Sequence, residues 1–264
     1  MSNPIISYYT RDYVEADRLK RSAAGRLEFM RTQELLRRHL PTGGSVADIG
    51  GGTGAHAAWL LEDGYEVQLI DLTPAHVEIA SGSMPKLQAQ VGDARNLPLA
   101  DRSVEATLLL GPLYHLTRAQ DRRQAIEEAV RVTCPGGLVA VAAISRYAPM
   151  LDLAVHGALT DDVLGMVRGQ LETGRHDSRV GFTDAYMHTP EELAAELDAA
   201  GLTDVVVYGV EGPLWAAAQL VPAEHDLTQY LTVARELETD PSATAFSGHL
   251  LAVGRLTSNP HEEG

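Results

Sequence analysis

The 264-residue sequence predicts an α/β fold: an open, doubly wound sheet with helices on both faces. Three observations carry that expectation. Seven short, largely apolar runs alternate with helical patterns along the chain. The first run passes directly into a glycine turn and a helix start, S-V-A-D-I-G-G-G-T-G at Ser45 to Gly54. Asp48, Asp71 and Asp93 fall at or beside the ends of the first three runs, which puts three carboxylates on one sheet edge.

Residues 1–40 read as an N-terminal helical cap, in which Leu19, Leu27, Met30, Leu35 and Leu36 supply parts of an apolar stripe. Tyr8, Tyr9 and Tyr13 stand at its start, where their rings could close over a pocket or pack the helix onto the domain. Arg26 and Arg31 are candidates for holding a carboxylate as a bidentate pair, Arg31 the better placed.

Val46 to Ile49 follows the turn signal Pro41-Thr42-Gly43-Gly44 and forms the first strand. Gly50, Gly52 and Gly54 allow positive φ and remove the Cβ atoms that would keep a ligand off the main chain. The helix expected at Ala55 to Asp63 points its first amides into the same gap, and Gly64 stops it. Gly50, Gly52 and Ala55 also satisfy G-x-G-x-x-G/A, which keeps a nicotinamide or flavin cofactor in play. Asp48 argues against that, because a carboxylate beside the turn repels a pyrophosphate and suits a ligand bearing an ammonium and a sulfonium.

The second strand, Val67 to Ile70, runs into Asp71, which could accept from both hydroxyls of a ribose or cap the helix starting at Thr73-Pro74. Gln88 to Val91 is the third strand, with Gly92-Asp93-Ala94 after it. Val104 to Leu110 reads as a buried strand, and Gly111-Pro112-Leu113-Tyr114-His115-Leu116 at its end offers a phenol and an imidazole. His115 could act as a general base, more readily than Tyr114, or only line the pocket. Thr117 with Gln120 predicts a capping box opening a helix to about Thr133, ended by Pro135-Gly136-Gly137. Leu138 to Ile144 is the fifth strand.

Residues 147–188 fit no sheet pattern and read as a lid insertion, with helical fragments such as Thr160 to Leu171. His156, Phe182, Tyr186 and His188 within it are the candidate substrate contacts. Thr189-Pro190-Glu191-Glu192 is a helix start with cap, proline and N3 glutamate in place. Val205 to Tyr208 is the sixth strand. A second insertion, residues 211–248, contributes Trp215 as a further substrate candidate, and His249 to Leu256 closes the sheet.

From about Gly43 to Thr257 the chain resembles the class I S-adenosylmethionine-dependent methyltransferases, and within them the small-molecule branch. The resemblance implies a Rossmann-like, seven-stranded sheet, mostly parallel with an antiparallel last strand, and S-adenosyl-L-methionine as cofactor. It implies adenine contacts at Asp93 and Ala94, further cofactor contacts at Leu72 and Leu110, and an N-terminal segment, here with Tyr9, over the cofactor. That family often carries a basic residue where Cys134 stands.

Composition limits the rest. Lys plus Arg number 21 against 36 Asp plus Glu, a net charge of −15 with no basic run, which disfavours nucleic acid and anionic membranes as partners and favours a small-molecule substrate. The single Cys134 excludes an internal disulfide and fits a cytoplasmic protein. The ten histidines are scattered, without C-x-x-C or H-E-x-x-H, so no metal is expected. An NAD(P)-dependent oxidoreductase and a non-catalytic nucleoside-binding protein of the same fold are the alternatives. Oligomeric state is left open, a homodimer included.

Overall fold

The computed structural model describes residues 19–180 and 182–257. Tyr8, Tyr9 and Tyr13 lie outside them. The first described helix, α1 (Ala23–His39), is N-capped by the Ser22 hydroxyl, which accepts from the Gly25 amide at 3.0 Å. The chain then alternates through β1 (Ser45–Ile49), α2 (Ala55–Glu62), β2 (Glu66–Asp71), α3 (Pro74–Ser83), β3 (Gln88–Val91) and β4 (Val104–Leu109). After a one-turn helix α4 (Pro112–His115) come α5 (Ala119–Val132) and β5 (Thr133–Ile144).

The first excursion holds α6 (Ala148–Val155), α7 (Asp161–Thr173) and a two-residue hairpin, β6 (Arg175–His176) with β7 (Ala185–Tyr186). The chain returns through α8 (Pro190–Ala199) and β8 (Thr203–Gly209). It leaves again through α9 (Trp215–Ala218) and α10 (Thr228–Leu237), then closes with β9 (His249–Arg255).

The sheet order is β3-β2-β1-β4-β5-β9-β8, parallel throughout except for β9, which runs antiparallel to both neighbours. This matches the mostly parallel seven-stranded sheet and its antiparallel last strand. The chain starts at β1, builds outward to β3, and restarts on the other side at β4. The β1/β4 boundary is therefore a topological switch point, where the turns after adjacent strands part and leave a crevice. Alternating strand residues feed two cores. Ala47, Ile49 and Leu109 pack under α5 and α8, while Val46, Leu69 and Leu108 pack under α1, α2 and α3.

The capping box at Thr189 forms as expected, with reciprocal bonds to Glu192 of 3.2 and 3.3 Å. The one at Thr117 does not. The helical turn α4 takes up the chain first, so α5 starts at Ala119 with Arg118 at the N-cap and no side-chain cap. Pro135-Gly136-Gly137 does not end the helix either; α5 stops at Val132 and β5 already includes the P-G-G segment.

Candidate active site

A cavity of about 390 Å³ opens at the carboxyl edge of the sheet over the β1/β4 crevice. Its floor is the glycine turn. Gly50, Gly52 and Gly54 hold φ of +71°, +57° and +90°, as the sequence required. The turn is also locked from the side: a Cβ on Gly50 would lie 2.6 Å from the Pro112 ring, and one on Gly51 would lie 2.6 Å from a carboxylate oxygen of Asp48. The turn after β1 and the turn after β4 are thus in contact, which places α4 against the cavity.

Asp48, Asp71 and Asp93 all line the cavity, in the spatial order of their strands. Asp48 is fully buried, and neither carboxylate oxygen has a hydrogen-bond partner in bonding geometry. Burial, reinforced by the charge of Asp71, pushes its carboxyl up to about 7, against the weaker pull of the Ala57 amide. Burial alone would raise Asp71 as well. Hydrogen bonding from His76 and from the Thr73 and Gly52 amides outweighs it, so Asp71 lies below its ordinary value. Its two oxygens accept from Gly52 at 2.9 Å and Thr73 at 2.8 Å, so this one side chain ties the glycine turn to the start of α3. Asp93 is half-buried and held below its ordinary value by the Arg95 guanidinium, 2.6 Å away.

Gly50, Gly52, Leu72, Ala94 and Leu110 line the same cavity. So do Tyr114, His115 and Phe182, whose rings form one aromatic wall: Tyr114 and His115 have centroids 4.6 Å apart, and Phe182 stacks on His115 at 5.8 Å. Thr183 Oγ1 lies 3.1 Å from His115 Nδ1. Desolvation pushes the His115 imidazole down to about 4, with Asp71 pulling weakly the other way. The ring is neutral near pH 7, and its affinity for a proton is low.

Several expected site residues lie elsewhere. Arg31 is fully buried beneath α1 and committed to Glu238 at 2.6 Å, Glu34 at 2.7 Å and the Val210 carbonyl at 3.1 Å, so its guanidinium serves packing instead of a ligand carboxylate. His156 is exposed at the end of α6, bonded to the Asp152 carbonyl. Tyr186 is covered by the Arg122 guanidinium, 3.7 Å above its ring, and His188 is buried against Glu196 at 3.4 Å. Both anchor the first excursion to α5 and α8. Trp215 donates its indole N–H to the Phe246 carbonyl at 3.0 Å and packs against Gly248. Tyr9 lies outside the described residues.

The sequence reading missed Glu28, His56 and His249, which line the cavity. Glu28 is one polar residue on an amphipathic helix, and His249 is the first residue of a strand. Nothing in the local pattern of either points to a pocket.

Residues 47–141 match a family described as a methyltransferase domain. The chain is 27% identical over 186 residues to a demethylmenaquinone methyltransferase of Paenarthrobacter aurescens, covering 69% of this chain and 72% of that protein. It is 31% identical over 184 residues to a methyltransferase of Streptomyces halstedii, covering 66% of this chain and only 60% of the relative's length. Among solved structures, a Thermotoga maritima S-adenosylmethionine-dependent methyltransferase, titled a possible histamine N-methyltransferase, superposes with a TM-score of 0.61 at 20% identity, over 95% of this chain and 98% of that one. That last likeness bears on the fold.

Proposed function

The chain belongs to the class I S-adenosylmethionine-dependent methyltransferases, and from that premise we propose that it methylates an oxygen, nitrogen or carbon nucleophile of a small-molecule acceptor. The observation that carries the reading is the set of three acids around a glycine floor, with a buried, unpartnered carboxylate at its centre. The donor set fits a cationic nucleoside. Asp48 leaves two orphaned oxygens that a positive charge compensates, and the acidic wall that would repel a dinucleotide's pyrophosphate attracts a sulfonium.

On this reading Asp93 and the Ala94 amide face the adenine, Asp71 and Leu72 the ribose, and Asp48, Gly50, Gly52 and Leu110 the methionyl end. When bound, S-adenosylmethionine supplies an electrophilic methyl group. The protein then has to position the acceptor and keep water away from it. The ring wall of Tyr114, His115 and Phe182 does the second, and the neutral His115 can accept a hydrogen bond from the acceptor. A quinol or phenol is the favoured acceptor class, supported by the apolar character of that wall and by the quinone-directed name of one relative. The net charge of −15 disfavours nucleic acid as acceptor. Among the described residues no helix is long and apolar enough to cross a membrane, and the single reduced Cys134 fits the cytoplasm.

Calorimetric titration with S-adenosylmethionine, S-adenosylhomocysteine and NAD tests the binding assignment, and transfer of a labelled methyl group to a panel of quinols, phenols and amino sugars tests the reaction. We expect micromolar binding of both sulfur nucleosides and label on a quinol or phenol. Asp71→Ala is expected to weaken S-adenosylmethionine binding about tenfold or more, the worth of one charged hydrogen-bonding group. Tighter binding of NAD than of either nucleoside overturns the assignment.

A further inference from the structure

The cavity contains a second polar cluster, away from the strand tips assigned to the donor. Ile144 at the end of β5 pairs with His249 at the start of β9, so the antiparallel strand brings its first residue to the same sheet edge as the carboxyl ends of its parallel neighbours. The acids mark β3, β2 and β1. His249 stands on the opposite side of the crevice, two strands beyond β4, or about 10 Å at the usual strand spacing. On the methyl-transfer reading, this is the side of the crevice left for the acceptor. Val210, Ile144 and Leu251 give this part of the cavity an apolar lining.

The imidazole is held from two sides. Glu211, 2% exposed, places Oε1 2.5 Å from His249 Nδ1. Its Oε2 accepts from the Ser247 hydroxyl at 2.8 Å and from the His249 amide at 2.9 Å. Glu28 of α1 approaches the same Nδ1 at 3.8 Å. An ionised carboxylate can only accept, so the proton of the neutral ring belongs on Nδ1 and the lone pair on Nε2. Two carboxylates also favour the imidazolium once it forms. Trp215 packs behind Gly248 and fixes the turn that presents the pair. The next charge along α1, Arg31, is already neutralised by Glu34 and Glu238.

We propose that His249, oriented by Glu211 and backed by Glu28, is the general base that removes the proton from the methyl acceptor. The proposal rests on the methyl-transfer reading. As the acceptor's lone pair forms the new bond to the methyl carbon, the electron pair of the sulfur–methyl bond returns to sulfur. The acceptor's proton passes to His249 Nε2, and the resulting imidazolium is balanced by the two carboxylates until solvent takes the proton away. Here two carboxylates stand beside the ring, whereas at His115 desolvation outweighs the pull of Asp71.

Two measurements on the full chain test it. Nitrogen-15 NMR of histidine-labelled protein, with His249 assigned through His249→Gln, needs no acceptor. We expect the Nδ1–H tautomer and a titration that falls by about one pH unit or more in Glu211→Gln; an Nε2–H tautomer, or a titration indifferent to Glu211, overturns the proposal. With an acceptor from the panel, His249→Gln is expected to lower kcat about 100-fold or more. Its Kd for S-adenosylmethionine should stay within about threefold, and the acidic limb of the kcat profile should disappear. Glu211→Gln should move that limb to lower pH. Equal losses in kcat and nucleoside affinity overturn the proposal, as does Mg²⁺ or Mn²⁺ binding that is lost in His249→Gln and restores activity to chelator-treated protein. Failure of the whole panel counts against the methyl-transfer reading alone, since the tautomer remains measurable.

Discussion

Asp48 and His115 sit in one cavity with proton affinities displaced in opposite senses, and their effects on stability oppose each other. The folded state holds the Asp48 proton up to about pH 7, whereas an unfolded aspartate releases it near 3.9, so this contribution is full below pH 4 and is lost as pH rises to 7. Its size is on the order of 4 kcal/mol, at 1.36 kcal/mol per tenfold change in proton affinity. His115 acts in the other direction: folding disfavours its protonation, so stability falls as pH drops from about 6.5 to about 4. The two slopes offset each other in the native protein. Urea denaturation across pH 4 to 7 is expected to show stability rising with pH in Asp48→Asn and falling with pH in His115→Gln. If both variants follow the parent curve, the carboxylate and the imidazole are not the titrating pair. A cation placed against Asp48 should also expel its proton, so S-adenosylmethionine binding at pH 6 should release close to one proton in the parent and none in Asp48→Asn.

At the scale of elements, the site depends on two turns that fit against each other. The Pro112 ring and Gly111 are packed closely enough against the turn after β1 that Gly50 has no room for a side chain. Gly50→Ala therefore combines a left-handed backbone with a clash, and a loss of about 2 to 4 kcal/mol is expected together with loss of nucleoside binding. Thermal denaturation and calorimetry measure the two separately. Gly64→Ala is the control, because a Cβ there meets nothing within 4 Å although φ is +93°, so it should cost only the backbone strain and leave binding intact. Asp71 joins the same assembly by bonding both the glycine turn and the Thr73 amide just before α3, so its carboxylate ties the two together and forms cavity wall at once.

Across the whole molecule, the second excursion is tied to the body through Arg31. Its guanidinium reaches from α1 to Glu238 just beyond α10 and to the Val210 carbonyl just after β8, while Arg38 bridges Glu34 and Glu238 on the outside. Hydrogen bonds from Arg235 and Arg38 outweigh burial and hold Glu34 down at about 2, so the network persists until strongly acidic pH and weakens as pH falls from 4.5 towards 2. Arg31→Met leaves Glu238 without its buried partner, and a loss of about 3 kcal/mol or more is expected at pH 7. S-adenosylmethionine affinity of the folded fraction should change by less than about threefold, because the guanidinium is outside the cavity wall. A large loss of affinity with little change in stability would return Arg31 to the role of ligand contact.

The order of elements, the glycine floor and the three strand-tip acids were legible in the sequence because each is local: a strand, its turn and the next helix start lie within about ten residues, and period and turn chemistry report on that range. Of the sites expected in the first excursion, Phe182 lines the cavity and His156, Tyr186 and His188 do not. Tyr186 and His188 look like pocket residues in sequence, but Arg122 and Glu196, from helices before and after them, claim both side chains. Glu28, Glu211 and His249 show the converse. Glu28 is separated from the other two by most of the chain, and only the antiparallel insertion of β9 beside β5, with α1 packed across that edge, brings an imidazole between two carboxylates. Sequence alone determined where the backbone could open to a cationic nucleoside, since that depends on residues with no side chain in the way. Tertiary structure alone decided which further titratable groups, Glu28 and His249, join the strand-tip acids there and what proton affinity each acquires, since partnership is set by neighbours that the chain supplies from far away.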